Sequence, residues 1–521
     1  MVQHKHSMCH CDSVASLPGA AEGLEEQELA RMQAAVHQLL VGVGEDPERE
    51  GLVDTPRRVA KAWLDMTRGY RQECKSAFGT ALFHEPIVAA GSDGLVVVRD
   101  ITFAALSERS LLPFHGRAHI AYVPSQGVVL GLSKLARVIK CLAARLQTQA
   151  QFTQRLVEAV QAEVGARGVA AVVQALHLGA GPAPAAQLTS AATGCFTQPG
   201  CGHLAEFLAL LRLSGRSAPP AAGFCDAAAA LERQQSGEAD GYGAAVAAEA
   251  APVASSSMVA ATQQLLLSVG EDPARKGLNG GAARYASWLL SATAGYRMHP
   301  PSCCAGAACA GGCSGIGSPV AAAELGPPTP DEHSPDPSDA SSDDMSTEVP
   351  FILGMREAEA AAAAAAGQPP ELAQQAQRPA QQDGVQTFSA HFSSQCEHHL
   401  LPFYGTLRLA YLPGGAGSAS AACDPACLRR RLAGVVEMFS RRLQVQERLT
   451  HQVADAVASL LGARAVLVAV ESAHMCMVAR GVEKHASTTL TTAARGEWAE
   501  DAAGRAAALE ALLEPLQHAQ R

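Results

Sequence analysis

The sequence predicts an α+β chain made of two tandem copies of one module, each an antiparallel sheet with helices packed on one face. Three observations predict it. Gly44-Glu45-Asp46-Pro47 returns as Gly270-Glu271-Asp272-Pro273, Leu112-Pro113-Phe114 as Leu401-Pro402-Phe403, and Leu146-Gln147 as Leu443-Gln444, always in the same order. Such recurrence marks a duplicated unit. Within each copy, stretches of helical period alternate with short β-branched runs, the mixture an α+β fold requires. Around the copies the composition falls to Ala, Pro, Gly, Ser and Gln, and such segments bury too little apolar surface to offset the entropy of ordering.

In chain order, Glu25 to Val43 is amphipathic, and Thr55-Pro56 ahead of Arg57 to Tyr70 reads as a capped helix with proline in its first turn. Leu95 to Val98 and His119 to Val123 have strand character. Leu135 to Val164 is periodic throughout and reads as one long helix, followed by the apolar strand Val169 to Leu176. The second copy matches, with Leu432 to Leu461 as helix and Ala465 to Val470 as strand. The composition shifts then divide the chain into a disordered tail at 1–23, a first repeat at 24–215, a linker at 216–256 and a second repeat at 257–515. A low-complexity insertion at about 300–385 interrupts the second repeat.

Bulk properties exclude several function classes. At 521 residues the chain has room for two sizeable cores. With 40 Lys plus Arg against 50 Asp plus Glu, the formal charge of −10 argues against general attraction to nucleic acid or an anionic membrane. An anionic substrate therefore needs a local basic pocket. The 15 cysteines are odd in number and irregularly spaced, which fits reduced thiols and a cytoplasmic protein better than a secreted disulfide framework. The N-terminus, with His4, His6, Cys9, His10 and Cys11, has neither an apolar signal core nor an Arg-rich amphipathic pattern. It and the Cys303, Cys304, Cys309 and Cys313 cluster read as incidental thiols in disordered segments. No apolar run is long enough to span a membrane.

The chemistry-bearing residues sit in the second copy. Cys396-Glu397-His398-His399 and, further on, His474-Met475-Cys476 offer two thiols and a spaced imidazole for one metal, with two more histidines beside them. A catalytic zinc takes three protein ligands and leaves a fourth position open, whereas a structural zinc is closed by four. Cys396, His399 and Cys476 would make the open kind. The first copy keeps the frame but loses the donors, since Ser107-Glu108-Arg109-Ser110 stands where Cys396 to His399 stands.

Together, Thr55 to Lys61, Gly131 to Arg137, Cys396 to His399, Gln444 to Thr450 and His474 to Gly481 resemble GTP cyclohydrolase I, in the tandem form of plants and algae. The resemblance implies two tunnelling-fold (T-fold) domains, a ring-like homo-oligomer with sites between subunits, and zinc-dependent hydrolysis of GTP to 7,8-dihydroneopterin triphosphate and formate. It implies zinc on Cys396, His399 and Cys476, proton transfer by His398 and His474, and guanine held by Glu447 and Gln446. The family's phosphate positions fall on Arg58, Lys61, Ser133, Lys134 and Arg137, with Ser133 in the catalytic set, and Arg480 joins them from the second copy. The chemistry suits the residue types: ring opening needs water made nucleophilic near neutral pH, a group titrating near ~6.5 to move protons, and a carboxylate for the guanine edge.

Neither copy is complete. The second has Arg284, Ser287, Arg430, Arg431 and Gly434 at the phosphate positions, and the first has Ser107, Arg109, Ser110, Ala150 and Gly179 at the metal, proton and guanine positions. The expectation is a composite pocket: phosphate grip from the first repeat, metal and base recognition from the second. Three alternatives stay open at this stage. Arg429 to Arg431 could hold the triphosphate within the second repeat, the chain could be a silent nucleotide-binding regulator, or it could be a T-fold enzyme for another purine or pterin.

Overall fold

The computed structural model describes residues 18–79, 82–84, 94–179, 181–198, 202–212, 252–299, 384–415, 424–480, 483 and 487–519. The expected tail, linker and insertion lie almost wholly outside them, as do Cys9, Cys11 and the Cys303 to Cys313 cluster.

The first repeat runs α1 (Pro18–Val43), α2 (Thr55–Met66), α3 (Cys74–Phe78), β1 (Leu82–His84), β2 (Val96–Ser107), β3 (Pro113–Val123), β4 (Val128–Leu130), α4 (Leu132–Ala143), β5 (Leu146–Gln147), α5 (Gln149–Val164), β6 (Gly168–His177), β7 (Ala185–Gly194) and α6 (Gly202–Arg212). The second runs α7 (Ser256–Ser268), α8 (Gly281–Ala292), β8 (Gln386–Cys396), β9 (Pro402–Leu412), α9 (Pro425–Ser440), β10 (Leu443–Gln444), α10 (Gln446–Leu461), β11 (Ala465–His474), α11 (Met475–Val478), β12 (Thr489–Gly496) and α12 (Ala502–Ala519). Each repeat holds a five-stranded sheet, ordered β5-β2-β3-β6-β7 and β10-β8-β9-β11-β12. The long strands pair antiparallel, and only the short β5 and β10 run parallel to their neighbours.

The single long helix expected over Leu135 to Val164 is two helices with a strand between them, and Leu432 to Leu461 breaks the same way. The break has an identifiable cause. Leu146 and Gln147 leave the helix to pair with Leu106 and Ser107 at the sheet edge, and the Tyr70 hydroxyl accepts from the Leu146 amide at 2.9 Å. A capping box between Thr148 and Gln151 then starts α5 afresh. Apolar periodicity continues across the break because both helices cover the same sheet face.

The helix beginning at Thr55 is present, but Thr55 does not cap it. Asp54 precedes the first turn without a capping bond, and the Thr55 hydroxyl donates 2.9 Å to the Glu397 carbonyl in the other repeat.

Each sheet has its own helix-covered core, one built on Phe103, Phe114, Phe152 and Leu156, the other on Phe392, Phe403, Phe439 and Val453. A third core joins the repeats: Leu39 and Leu40 of α1, Trp63 of α2, Leu265 and Leu266 of α7, and Tyr285 of α8 pack together with Leu111, Leu112, Leu400 and Leu401. Each fully buried leucine there contributes about 1.5–3 kcal/mol.

The polar contacts across this core come in reciprocal pairs. Arg49 reaches Glu397 while Arg275 reaches Glu108; Tyr70 donates to Glu271 while Tyr296 donates to Glu45. His115 Nε2 and the Tyr404 hydroxyl, on equivalent strands, meet each other at 2.7 Å. Mutual contacts of this kind define a two-fold relation, here between two halves of one chain.

Candidate metal centre

β8 ends at Cys396, and a tight turn follows. The Leu401 carbonyl accepts from the Cys396 amide, and the Cys396 carbonyl accepts from the amides of His399 and Leu400 at 3.2 and 2.9 Å. Leu400 adopts a left-handed conformation, φ +49°, with its side chain buried in the inter-repeat core. The turn folds His399 back over Cys396, with Nδ1 3.7 Å from Sγ. β11 runs antiparallel to β9 and ends at His474, so the short α11 brings Cys476 to the same place. Cys396, His399 and Cys476 offer donor atoms that all lie within 4.8 Å of one another.

The surroundings bear on the protonation of this cluster and orient it. The Cys396 thiol is pushed up by its hydrogen bond with Cys476 and by burial, against hydrogen bonds from His398 and His399 that pull it down. Arg480 donates to His399 Nε2, which leaves Nδ1 facing the sulfurs. His398 is partly exposed, 3.8 Å from Glu397. His474 stacks on Phe403, ring centroids 4.6 Å apart, and hydrogen-bonds Gln446 Oε1 at 2.7 Å. Burial lowers its pKa, while Cys396 and Glu447 nearby raise it. Glu447 is exposed in the first turn of α10.

Gln446 has its carboxamide committed to protein partners. Nε2 donates to the Val470 and Thr489 carbonyls and the Thr491 hydroxyl, and Oε1 accepts from Ser472 at 2.6 Å. Gln149 bonds Val173, Gln187, Thr189 and His177 in the same way in the first repeat, the last at 2.7 Å, but Ala175 stands at the place of Ser472.

Glu397, between two of the expected functional residues, was not singled out from sequence. Its carboxylate is almost fully buried and takes a bidentate contact from Arg448, at 2.8 and 2.9 Å, and a third bond at 2.9 Å from Arg49 of the first repeat. Burial pushes this carboxyl up, but the two guanidiniums outweigh it and hold it below the ordinary range. Its motif position was a signal; a partner 348 residues away was not.

The phosphate-position residues fall in two groups. Arg58 and Lys61 lie on α2, whose first turn is tied to the metal turn by Thr55. Arg58 also pairs with Asp54 at 3.6 Å. Ser133, Lys134 and Arg137 lie in the first half of α4, and among the described residues no hydrogen bond or ion pair joins them to the metal cluster. In the second repeat, Arg284 bonds the Arg109 and Asn279 carbonyls, and Arg431 is buried with an unpartnered Nε among the described residues. Arg480 Nε is likewise unpartnered.

The first repeat keeps the turn by other means. The Ser107 hydroxyl accepts from the amides of Arg109 and Ser110, and that of Ser110 accepts from Leu112. Leu111 repeats the left-handed conformation at φ +59°.

Two helix-backed antiparallel sheets, one carrying a Cys–His–Cys cluster, define a tandem T-fold protein with one candidate metal centre among the described residues. The chain belongs to the GTP cyclohydrolase I family, whose model matches residues 32–207 and 354–513. It is 30% identical to GTP cyclohydrolase 1 of Solanum lycopersicum over 509 residues, covering 94% of each chain. It is also 30% identical to that of Arabidopsis thaliana over 511 residues, covering 93% of this chain and 91% of the relative. GTP cyclohydrolase 1 of Gloeobacter violaceus is 46% identical over 169 residues, covering 32% of this chain and 74% of the relative. No helix among the described residues is long and apolar enough to cross a membrane.

Proposed function

We propose that the protein is a zinc-dependent GTP cyclohydrolase I, hydrolysing GTP to 7,8-dihydroneopterin triphosphate and formate for pterin and folate synthesis, at a pocket to which both repeats contribute. The main support is the Cys396–His399–Cys476 cluster, with donors within 4.8 Å, tied to the helix that carries Arg58 and Lys61. Two thiols and one imidazole are a donor set zinc favours, and three ligands leave a position open. Bound there, zinc would make water nucleophilic near neutral pH for attack on the guanine ring.

In this reading His398 and His474 give and take the protons of ring opening. Glu447 accepts from the guanine N1–H and 2-amino groups. Gln446, expected at the ring, acts one step back by holding His474, since its own polar atoms are already bonded. Arg58, Lys61, Ser133, Lys134, Arg137 and Arg480 supply cations and a hydroxyl suited to a triphosphate. The chain then works in the cytoplasm as a ring-like homo-oligomer, with repeats at 24–215 and 257–515 separated by the linker.

Purified, metal-loaded protein incubated with GTP should release formate and a pterin that fluoresces after oxidation, and guanosine should not replace GTP. Binding of GTP without formate release would leave a silent nucleotide binder and end this reading. Mixing Lys134→Ala chains with Cys476→Ser chains tests how the pocket is shared. Recovered activity places the halves on different polypeptides.

A further inference from the structure

Among the contacts across the two-fold interface that are not reciprocal, one is an ion-paired cluster. In the cleft lined by Met66, Lys140, Val478 and Ala479, the Glu483 carboxylate takes a bond of 2.7 Å from Arg68 Nη2 and a second, short one from Lys140 Nζ. Arg68 and Lys140 belong to the first repeat, Glu483 to the loop that follows Cys476 in the second. The Glu483 side chain is only 18% exposed.

The equivalent positions on the opposite side are known from matching hydrogen bonds. Gly69 N donates to the Ala144 carbonyl as Gly295 N does to Arg441, so Ala294 takes the place of Arg68. Ala144 N donates to Lys140 as Arg441 N does to Glu437, so Glu437 takes the place of Lys140. The loop after β6, residues 178–184, carries no charged residue where the second repeat has Glu483. That side is instead joined by Trp288 Nε1 donating to the Gly179 carbonyl at 3.3 Å.

We infer that Arg68, Lys140 and Glu483 select which repeats pair across this interface, admitting a first repeat against a second and disfavouring two alike. Two second repeats would bring Glu483 against Ala294 in place of Arg68 and Glu437 in place of Lys140, with Arg441, at Ala144's place, already paired to Glu437 at 2.9 Å, so neither cation that grips Glu483 would be present. Two first repeats would leave Arg68 and Lys140 facing an uncharged loop. Partner choice then rests on a pair of cations that only a first repeat presents at these positions, and a mispaired Glu483 would lose both. The partner is a first repeat of this same sequence, and the claim stands on the interface whatever the substrate.

The test uses the full chain with a photoreactive p-benzoylphenylalanine at position 404, which faces His115 across the axis. In the parent protein, crosslinked peptides should map to the strand containing His115. Glu483→Lys opposes Arg68 and Lys140 and attracts Glu437, so crosslinks should shift toward second-repeat peptides, giving covalent chain dimers on a denaturing gel, with the thermal midpoint lowered by several degrees. Adding Arg68→Glu and Lys140→Glu should restore both the crosslink map and the midpoint. Glu483→Gln guards against simple misfolding and should lower the midpoint less, without chain dimers. Crosslinks that stay on the His115 strand in Glu483→Lys, or a triple variant that restores nothing, overturn the inference. So does Glu483→Gln that binds GTP more tightly with pairing unchanged, which would make Glu483 a competitor for the triphosphate.

Discussion

The turns at Ser107–Ser110 and Cys396–His399 share a backbone and differ in what fastens it. Both follow a long strand, both place a left-handed leucine in the inter-repeat core, and both follow their first residue with a buried glutamate gripped by an arginine of the opposite repeat. In the first, serine hydroxyls bond the backbone of the turn itself. In the second, the same positions present a thiol and an imidazole to a space shared with Cys476. The architecture of the turn therefore does not depend on metal chemistry, and the chemistry could be lost from one copy without loss of the fold.

Cys476→Ser should sharpen this contrast most, taking formate release to background and bound zinc to none by elemental analysis. Ser107→Cys in the first repeat should gain no metal, because Ser110 and Gly179 supply no further ligand. Arg49→Ala leaves Glu397 with one guanidinium. It should cost about 1.5–3 kcal/mol, the scale of one charged hydrogen bond, because Arg448 still holds the carboxylate, and weaken zinc retention against a chelator. Its twin Arg275→Ala should destabilise the fold but leave zinc retention unchanged; equal effects would break the comparison.

The repeat without the Cys–His–Cys donors also carries a pH signature. Burial pushes the His177 imidazole down to about 4. Its unfolded value is about 6.5, so between these limits the unfolded chain binds the extra proton. Stability should be complete above about 6.5 and fall by on the order of 3 kcal/mol as pH drops toward 4. Urea midpoints against pH and an NMR titration of His177 check this, and a normal titration near 6.5 would contradict it. Lys134→Ala should lower kcat/KM by about 10–100-fold, the loss of one charged hydrogen bond of ~1.5–3 kcal/mol, with zinc retained. Ser107→Ala should be mildest, costing about 1 kcal/mol in thermal unfolding with turnover unchanged.

Much of this was legible in the chain. The duplication, the strand alternation and the donors of the metal cluster are local patterns, and local patterns survive in sequence. The division of the long helices was not, because Leu146 is apolar for the sheet edge and equally suits a helix face. Thr55 ahead of a proline looks like a cap, and only the opposite repeat reveals that its hydroxyl is used elsewhere. Gln446 beside Glu447 invites one shared role, yet adjacent helix positions point in different directions and one of them is saturated. Arg49, Glu397 and Glu483 act through partners hundreds of positions away, and periodicity reports burial without naming the neighbour.

Leu400 has one more consequence. An L-residue in the left-handed region is uncomfortable by roughly 1–2 kcal/mol, and beside the hydrogen bonds of its own turn this one is held there by the leucine's seat among side chains from both halves of the polypeptide. A half-molecule on its own would let that backbone relax and carry His399 away from Cys396. The arrangement of Cys396 and His399 is then a property of the docked pair, and a chain cleaved and separated should lose this donor cluster before it loses its sheets.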